Sequence, residues 1–329
     1  MLAWPHAGTD WLENLEAVEA VYTDLLAAIC KYEKALLLCV DARHQAAILE
    51  RLNQHDVDTR QIIFHSLQYN DTWVRDYGPI SIISGSKPAL LNFTFNGWGN
   101  KFDAALDNAV NRKLSNAGVW SDIVLHDVNV VLEGGSIDTD GQGTILTTSQ
   151  CLLNPNRNRD FTKKQLESLL QEQLGCTRVL WLDHGYLAGD DTDSHVDTLA
   201  RFCNPQTIVY MSCQDKSDEH YHSLKAMEAE LQQFITLSGK AYKLIPIDIP
   251  PAIFHTDGHR VPASYVNFLI INDAVLLPVY QHPSSDKMAM EKLGEAFPAH
   301  EIIPIDCKPL IMQHGSLHCI SMQLLENII

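Results

Sequence analysis

The chain has 329 residues, 46% of them hydrophobic, with 24 basic against 41 acidic side chains and a net charge of −17. Such a chain can bury a large core, as one large domain or two. The acidic balance argues against a nucleic-acid binder, which needs a basic footprint, and is compatible with a cationic ligand.

Short apolar strands alternate with amphipathic helices from end to end. The first helix follows Thr9-Asp10 and places Leu15, Val18, Tyr22, Leu25 and Ile29 on one face. Cys39 sits in the strand-like run Ala35-Leu36-Leu37-Leu38-Cys39-Val40, and a second helix follows Asp41 with Ala47, Ile48 and Leu52. Strands are predicted over Ile80–Ile83 and Ala89–Phe95, then a third helix after Asp103 with Leu106, Ala109 and Val110 inward. Beyond a strand at Thr144–Thr148 comes the clearest helix, from Thr162 to a stop at Gly175, with Leu166, Leu169, Leu170 and Leu174 as its stripe. Strands at Val179–Leu182 and Ile208–Met211 precede a helix over Ser217–Phe234. Phe268–Ile271 pairs with Val275–Val279 across an Asn272-Asp273 turn, and a last helix covers Asp286–Ala296.

No linker, charge block or composition shift divides residues 1–329, which are read as a single domain. Five helix-bearing units of roughly 65 residues fill the length, although no direct self-similarity is visible. The eight cysteines form no C-x-x-C pair, which fits neither a zinc site nor a disulfide framework and points to a reducing compartment. Met1-Leu2-Ala3-Trp4-Pro5-His6 lacks the pattern of a signal peptide, and no apolar run approaches the ~20 residues of a membrane span. A soluble, cytoplasmic protein is expected.

Functional groups cluster in the loops. Asp71-Thr72-Trp73-Val74-Arg75-Asp76-Tyr77-Gly78-Pro79 packs two carboxylates, an arginine and a tryptophan into a turn, and Trp98 sits between Gly97 and Gly99 where it can wall a pocket. Leu132-Glu133-Gly134-Gly135 sets a carboxylate against a double glycine. Asp190-Asp191-Thr192-Asp193-Ser194-His195-Val196-Asp197 surrounds one histidine with aspartates, and Cys319 follows His314-Gly315-Ser316-Leu317-His318. A thiol nucleophile, an acid/base histidine and paired carboxylates suit attack on the central carbon of a guanidinium: carboxylates hold the planar cation by bidentate hydrogen bonds, and thiol chemistry works near neutral pH. A metal hydrolase using His195, Asp197, His255 and Asp257 is the rival reading, though hard cations want more oxygen ligands and catalytic zinc usually three protein ligands.

Taken in order, these loops resemble the agmatine deiminases of the guanidine-modifying pentein superfamily. The resemblance runs from Trp4-Pro5-His6 and Trp11 through the Asp71–Pro79, Phe95–Gly99, Glu133–Gly135 and Thr192–Asp197 segments. It continues through Pro262-Ala263-Ser264-Tyr265-x-Asn267-Phe268 to Gly315-x-x-His318-Cys319-Ile320, and so spans nearly the whole chain. It implies a five-fold pseudosymmetric α/β propeller of ββαβ units. It implies Cys319 as nucleophile, His195 as general acid/base, Asp76 and Asp197 as the grip on the guanidinium, and Glu133 beside the histidine. Agmatine would give N-carbamoylputrescine, a putrescine precursor, with no cofactor or metal. Asp190 or Asp191 is the candidate partner for the substrate's terminal ammonium, with Trp98, Asp71 and Arg75 also at the binding site. The family precedent is a homodimer, and the close alternative is a deiminase of peptidyl or free arginine. Two departures stand out: the chain starts inside the first motif, so part of the first strand is expected to be absent or reshaped, and His314-Gly315-Ser316 stands where a glycine triplet is usual.

Overall fold

Antiparallel strands need only a turn between them, whereas parallel strands need a crossover, and this chain uses both in alternation. The computed structural model describes residues 1–329, in which fifteen strands form five three-stranded sheets, each taking its strands in chain order. The sheets are β1 (Leu2–Ala3), β2 (Ala35–Cys39) and β3 (Ile62–Ser66); β4 (Ile80–Ser84), β5 (Lys87–Thr94) and β6 (Leu125–Val131); and β7 (Ile137–Thr139), β8 (Thr144–Thr148) and β9 (Arg178–Leu182). They continue with β10 (Ala200–Asn204), β11 (Thr207–Ser212) and β12 (Lys243–Asp248), then β13 (Leu269–Ile271), β14 (Ala274–Val279) and β15 (Glu301–Asp306). β4–β5, β7–β8, β10–β11 and β13–β14 are antiparallel hairpins. β5–β6, β8–β9 and β11–β12 run parallel across helical crossovers. The first sheet departs from this pattern: β1 and β2 are parallel, joined through the helix Leu15–Ile29.

Central strands carry the core. β2, β8 and β11 are buried along their whole length, and the third strands β6, β12 and β15 alternate with exposed polar residues. Asp41 caps the helix Ala42–Gln54 by accepting from the His44 N–H at 2.8 Å. Thr162 and Gln165 form a reciprocal capping box on the helix Lys163–Leu174, which ends at the left-handed Gly175. The last two long helices run Tyr221–Leu231 and Pro283–Ala296.

The expected helix after Asp103 is a finding of a different kind. It breaks into Ala105–Asn108 and Val110–Asn116; Leu106 faces solvent and Asp107 is buried. The cause is a reciprocal bracket: Asn70 Oδ1 accepts from the N–H groups of Leu106 and Asp107, while Asp107 Oδ1 accepts from those of Asn70 and Asp71.

The chain forms two compact units. One comprises Met1–Gly134, Leu269–Leu276 and His318–Ile329, the other Gly135–Phe268 and Leu277–Leu317. No helix is long and apolar enough to cross a membrane.

Candidate functional site

In the first unit, Arg75 ties three distant segments together. It lies in the short helix Val74–Tyr77, whose four residues are all buried. Its backbone N–H donates to the Cys319 carbonyl at 3.2 Å, and its Nε to the His318 carbonyl at 3.3 Å. Its guanidinium continues to the Gln323 side chain and, at 3.5 Å, the Met322 sulfur. A Cβ on Gly134 would collide with the Arg75 carbonyl oxygen, so the glycine lets the Glu133 segment lie directly on this backbone. Arg75 is thus a structural knot whose neighbours in sequence or contact are Asp76, Glu133 and Cys319. All three side chains are buried, Glu133 completely.

Asp76 is oriented by an aromatic. Trp98 Nε1 donates to Asp76 Oδ2 at 2.9 Å, and the indole is wedged edge-on between Phe95 and Phe102. The turn that presents it is unusual, because Gly97, Trp98, Gly99 and Asn100 all have positive φ, between 54° and 88°. Asp71 instead serves its own loop. Its Oδ1 accepts from the Thr72 N–H at 2.7 Å, its carbonyl accepts from Tyr77 Oη, and burial pushes its carboxyl up to about 6.

The second unit holds the histidine loop. His195 and Asp197 are buried, His195 immediately before the single turn Val196–Thr198 and Asp197 within it. Thr198 Oγ1 donates to the His195 carbonyl at 2.9 Å, Asn267 Nδ2 to the Asp197 carbonyl at 3.3 Å, and Ser264 Oγ to the Thr198 carbonyl at 2.7 Å. The Pro262–Phe268 motif therefore supports the backbone on which His195 and Asp197 are mounted. Asp190 braces the same loop: it accepts from Thr192 Oγ1 at 2.5 Å, the Thr192 N–H at 3.2 Å and the Ser194 N–H at 2.7 Å. Burial raises its carboxyl pKa. Asp191 is half-buried.

His255, Asp257 and His259 form a separate, partly exposed cluster. Asp257 Oδ1 lies 2.5 Å from His259 Nδ1 and 3.4 Å from His255 Nδ1. The two rings are stacked at an interplanar angle of 20°. One ligand atom from each of the three residues lies within 4.8 Å of the other two.

Several supporting residues carry no motif-like signal: Arg157, Thr148 and Asp107 belong to helices and strands and Asn70 to a bend, and each holds a loop through contacts distant in sequence. Only Asn154-Pro155-Asn156-Arg157, a capped turn start enclosing an arginine, reads as a feature in retrospect.

Three-stranded sheets with hairpin and crossover connections, and the solved structures they match, define a guanidine-modifying enzyme of the pentein fold. The structure of a C. jejuni agmatine deiminase with substrate bound superposes with a TM-score of 0.89 at 38% identity, covering 97% of this chain and 90% of that one. The agmatine deiminase of Stutzerimonas stutzeri is 31% identical over 345 residues, 98% of this chain and 91% of its own length. That of Medicago truncatula is 30% identical over 354 residues, with 98% and 92% covered. The chain belongs to the Porphyromonas-type peptidyl-arginine deiminase family, whose sequence model matches residues 1–324.

Proposed function

We propose that the chain is an agmatine deiminase, a hydrolase that converts agmatine and water to N-carbamoylputrescine and ammonia. The observation that carries this reading is the Arg75 knot, which draws together the backbones of the Asp76, Glu133 and Cys319 motifs, the segments a guanidine-cleaving centre needs. Full-length similarity to agmatine deiminases from a bacterium and a plant supports the substrate.

In this reading Asp76 and Asp197 hold the guanidinium in one plane, so that its central carbon meets the sulfur in a fixed orientation. The Cys319 thiolate bonds to that carbon, His195 gives a proton to a departing nitrogen, the C–N bond breaks and ammonia leaves a thiouronium. His195 then takes a proton from water, the oxygen bonds to carbon, and the C–S bond breaks to return the thiolate and a ureido product. Glu133 supplies a buried carboxylate to the same proton chemistry. Asp190 braces its own loop, and the half-buried Asp191 beside it is the carboxylate proposed to meet the substrate's ammonium, with Trp98 as an aromatic wall. Arg75 and Asp71 act by shaping the Asp76 loop. The thiols of Cys30, Cys39, Cys176, Cys203, Cys213 and Cys307 are pushed up by burial, Cys30 to about 11 and Cys203 to about 12, which keeps them protonated and poorly nucleophilic. Residues 1–329 then work as one catalytic unit without cofactor or metal, in a cytoplasmic homodimer.

The test is ammonia release from agmatine, free arginine and an arginyl peptide, with intact mass after a rapid acid quench and peptide mapping. Agmatine turnover and an adduct confined to Cys319 are expected. Cys319→Ala should fall to background while still binding substrate, and His195→Ala should be severely impaired. Preference for the arginyl peptide would move the substrate assignment to that alternative; an adduct elsewhere, or an active Cys319→Ala, would overturn the mechanism.

A further inference from the structure

The two residues before His195 are both in the left-handed region, Asp193 at φ 65° and Ser194 at φ 66°, although neither is glycine. Consecutive residues of this kind relax unless the surroundings hold them. Asp190 and Thr148 hold Ser194, the first through its N–H and the second by donating to its carbonyl at 2.7 Å. Asp193 and Thr192 are held by Arg157. The Arg157 side chain is fully buried; its Nη1 lies 2.5 Å from Asp193 Oδ2, and its Nη2 donates to the Thr192 carbonyl at 2.9 Å. A further bond runs from Nη1 to Asn156 Oδ1 at 3.0 Å. The short helix Pro155–Asn158 presents this side chain, started by Asn154, whose side chain accepts from the Asn156 N–H.

We propose that Arg157 is a positioning residue for His195: its guanidinium clamps the strained Thr192–Ser194 turn and so sets where the imidazole stands for proton transfer. The role needs arginine. A planar fork reaches a carboxylate and a neighbouring carbonyl at once, whereas a lysine ammonium satisfies the charge without fixing both. The Arg157 side chain is fully enclosed, and that of Asp193 keeps 20% of its surface exposed, so most of the pair is withdrawn from water. The inference rests on His195 as the proton carrier of the proposed reaction.

The test uses the full chain with [13Cε1]histidine, the His195 resonance assigned from His195→Gln, alongside steady-state kinetics and thermal unfolding. In a folded Arg157→Lys variant, the His195 resonance and its titration should shift while the exposed His126 resonance stays in place. The kcat for agmatine should fall on the order of a hundredfold, the loss expected for about an ångström of misplacement, with KM little changed. Should Arg157→Lys not fold, Asp193→Asn removes the charge from the other side and is read the same way. An unshifted His195 resonance in a folded variant overturns the proposal, as does a loss confined to KM. Wild-type protein that releases no ammonia from agmatine defeats the functional reading instead, and the resonance still decides the role of Arg157.

Discussion

Asp76 receives a hydrogen bond from Trp98 Nε1, a neutral donor that helps to fix where the carboxylate stands. Hydrogen bonds to charged groups contribute about 1.5–3 kcal/mol. Trp98→Phe keeps an aromatic between Phe95 and Phe102 but removes the donor. The expected result is a fall in kcat/KM for agmatine of roughly tenfold to a hundredfold with thermal stability nearly unchanged; equal kcat/KM in the two proteins would show that Asp76 needs no such support. Asp107 makes a different kind of claim. Burial pushes its carboxyl up to about 8 from an ordinary 3.8, so the folded state binds its proton more tightly than the unfolded chain does. That contribution to stability is fully present below the unfolded value and is lost as pH rises toward about 8. Asp107→Asn keeps the oxygen that accepts from Asn70 and Asp71, without the ionisation. Denaturant curves from about pH 4 to about pH 8 should show the wild type losing stability relative to Asp107→Asn. Parallel pH profiles would mean that Asp107 is charged in the fold.

The Gly97–Asn100 turn shows how an element rather than a residue delivers chemistry. Four consecutive positive φ values swing the Trp98 ring onto Asp76, and a Cβ at Gly97 would strike the Phe102 carbonyl oxygen. Gly97→Ala therefore has to unwind the turn. Agmatine kcat/KM should fall at least as far as in Trp98→Phe, and the melting temperature should drop as well, by several degrees; a variant with wild-type activity would show that the turn tolerates an ordinary residue. Sequence patterning reaches some of this and misses the rest for identifiable reasons. The caps at Asp41 and Thr162 and the stop at Gly175 were legible because local hydrogen bonds decide them. The Asn272-Asp273 hairpin forms as expected, with Ile271 paired to Ala274. β6, β12 and β15 escape notice because third strands such as Lys243–Asp248 are half exposed and mix charged with apolar residues. The helix after Asp103 was misread because a long-range bracket with Asn70 overrides its apolar periodicity and turns Leu106 outward. At the site, motif residues such as Glu133 and His195 stand out as polar groups at glycine-rich or acidic loops. Arg157 does not, since its importance comes from two acceptors more than thirty residues away.

Across the whole molecule, the excess of acidic side chains sets a field that distinguishes substrates by charge. Agmatine carries a guanidinium and an ammonium, so it is a dication; free arginine adds a carboxylate and keeps one net positive charge. A chain of net charge −17 attracts the dication more strongly, and Asp191, in the proposed reading, adds a carboxylate to the histidine loop that an α-carboxylate would have to approach. A like-charge clash set against an ion pair differs by several kcal/mol, so agmatine should exceed free arginine in kcat/KM by on the order of a hundredfold or more. Part of that margin is long-range and part is contact, and salt separates them. From about 0.01 M to about 1 M ionic strength the Debye length shrinks from about 30 Å to about 3 Å. The agmatine kcat/KM should fall several-fold over that range and the arginine value less, narrowing the margin while leaving most of it, because close carboxylate contacts are screened little. A margin that vanishes in high salt would place the discrimination in the overall field, and comparable rates at every salt concentration would remove the agmatine preference while leaving the deimination chemistry intact.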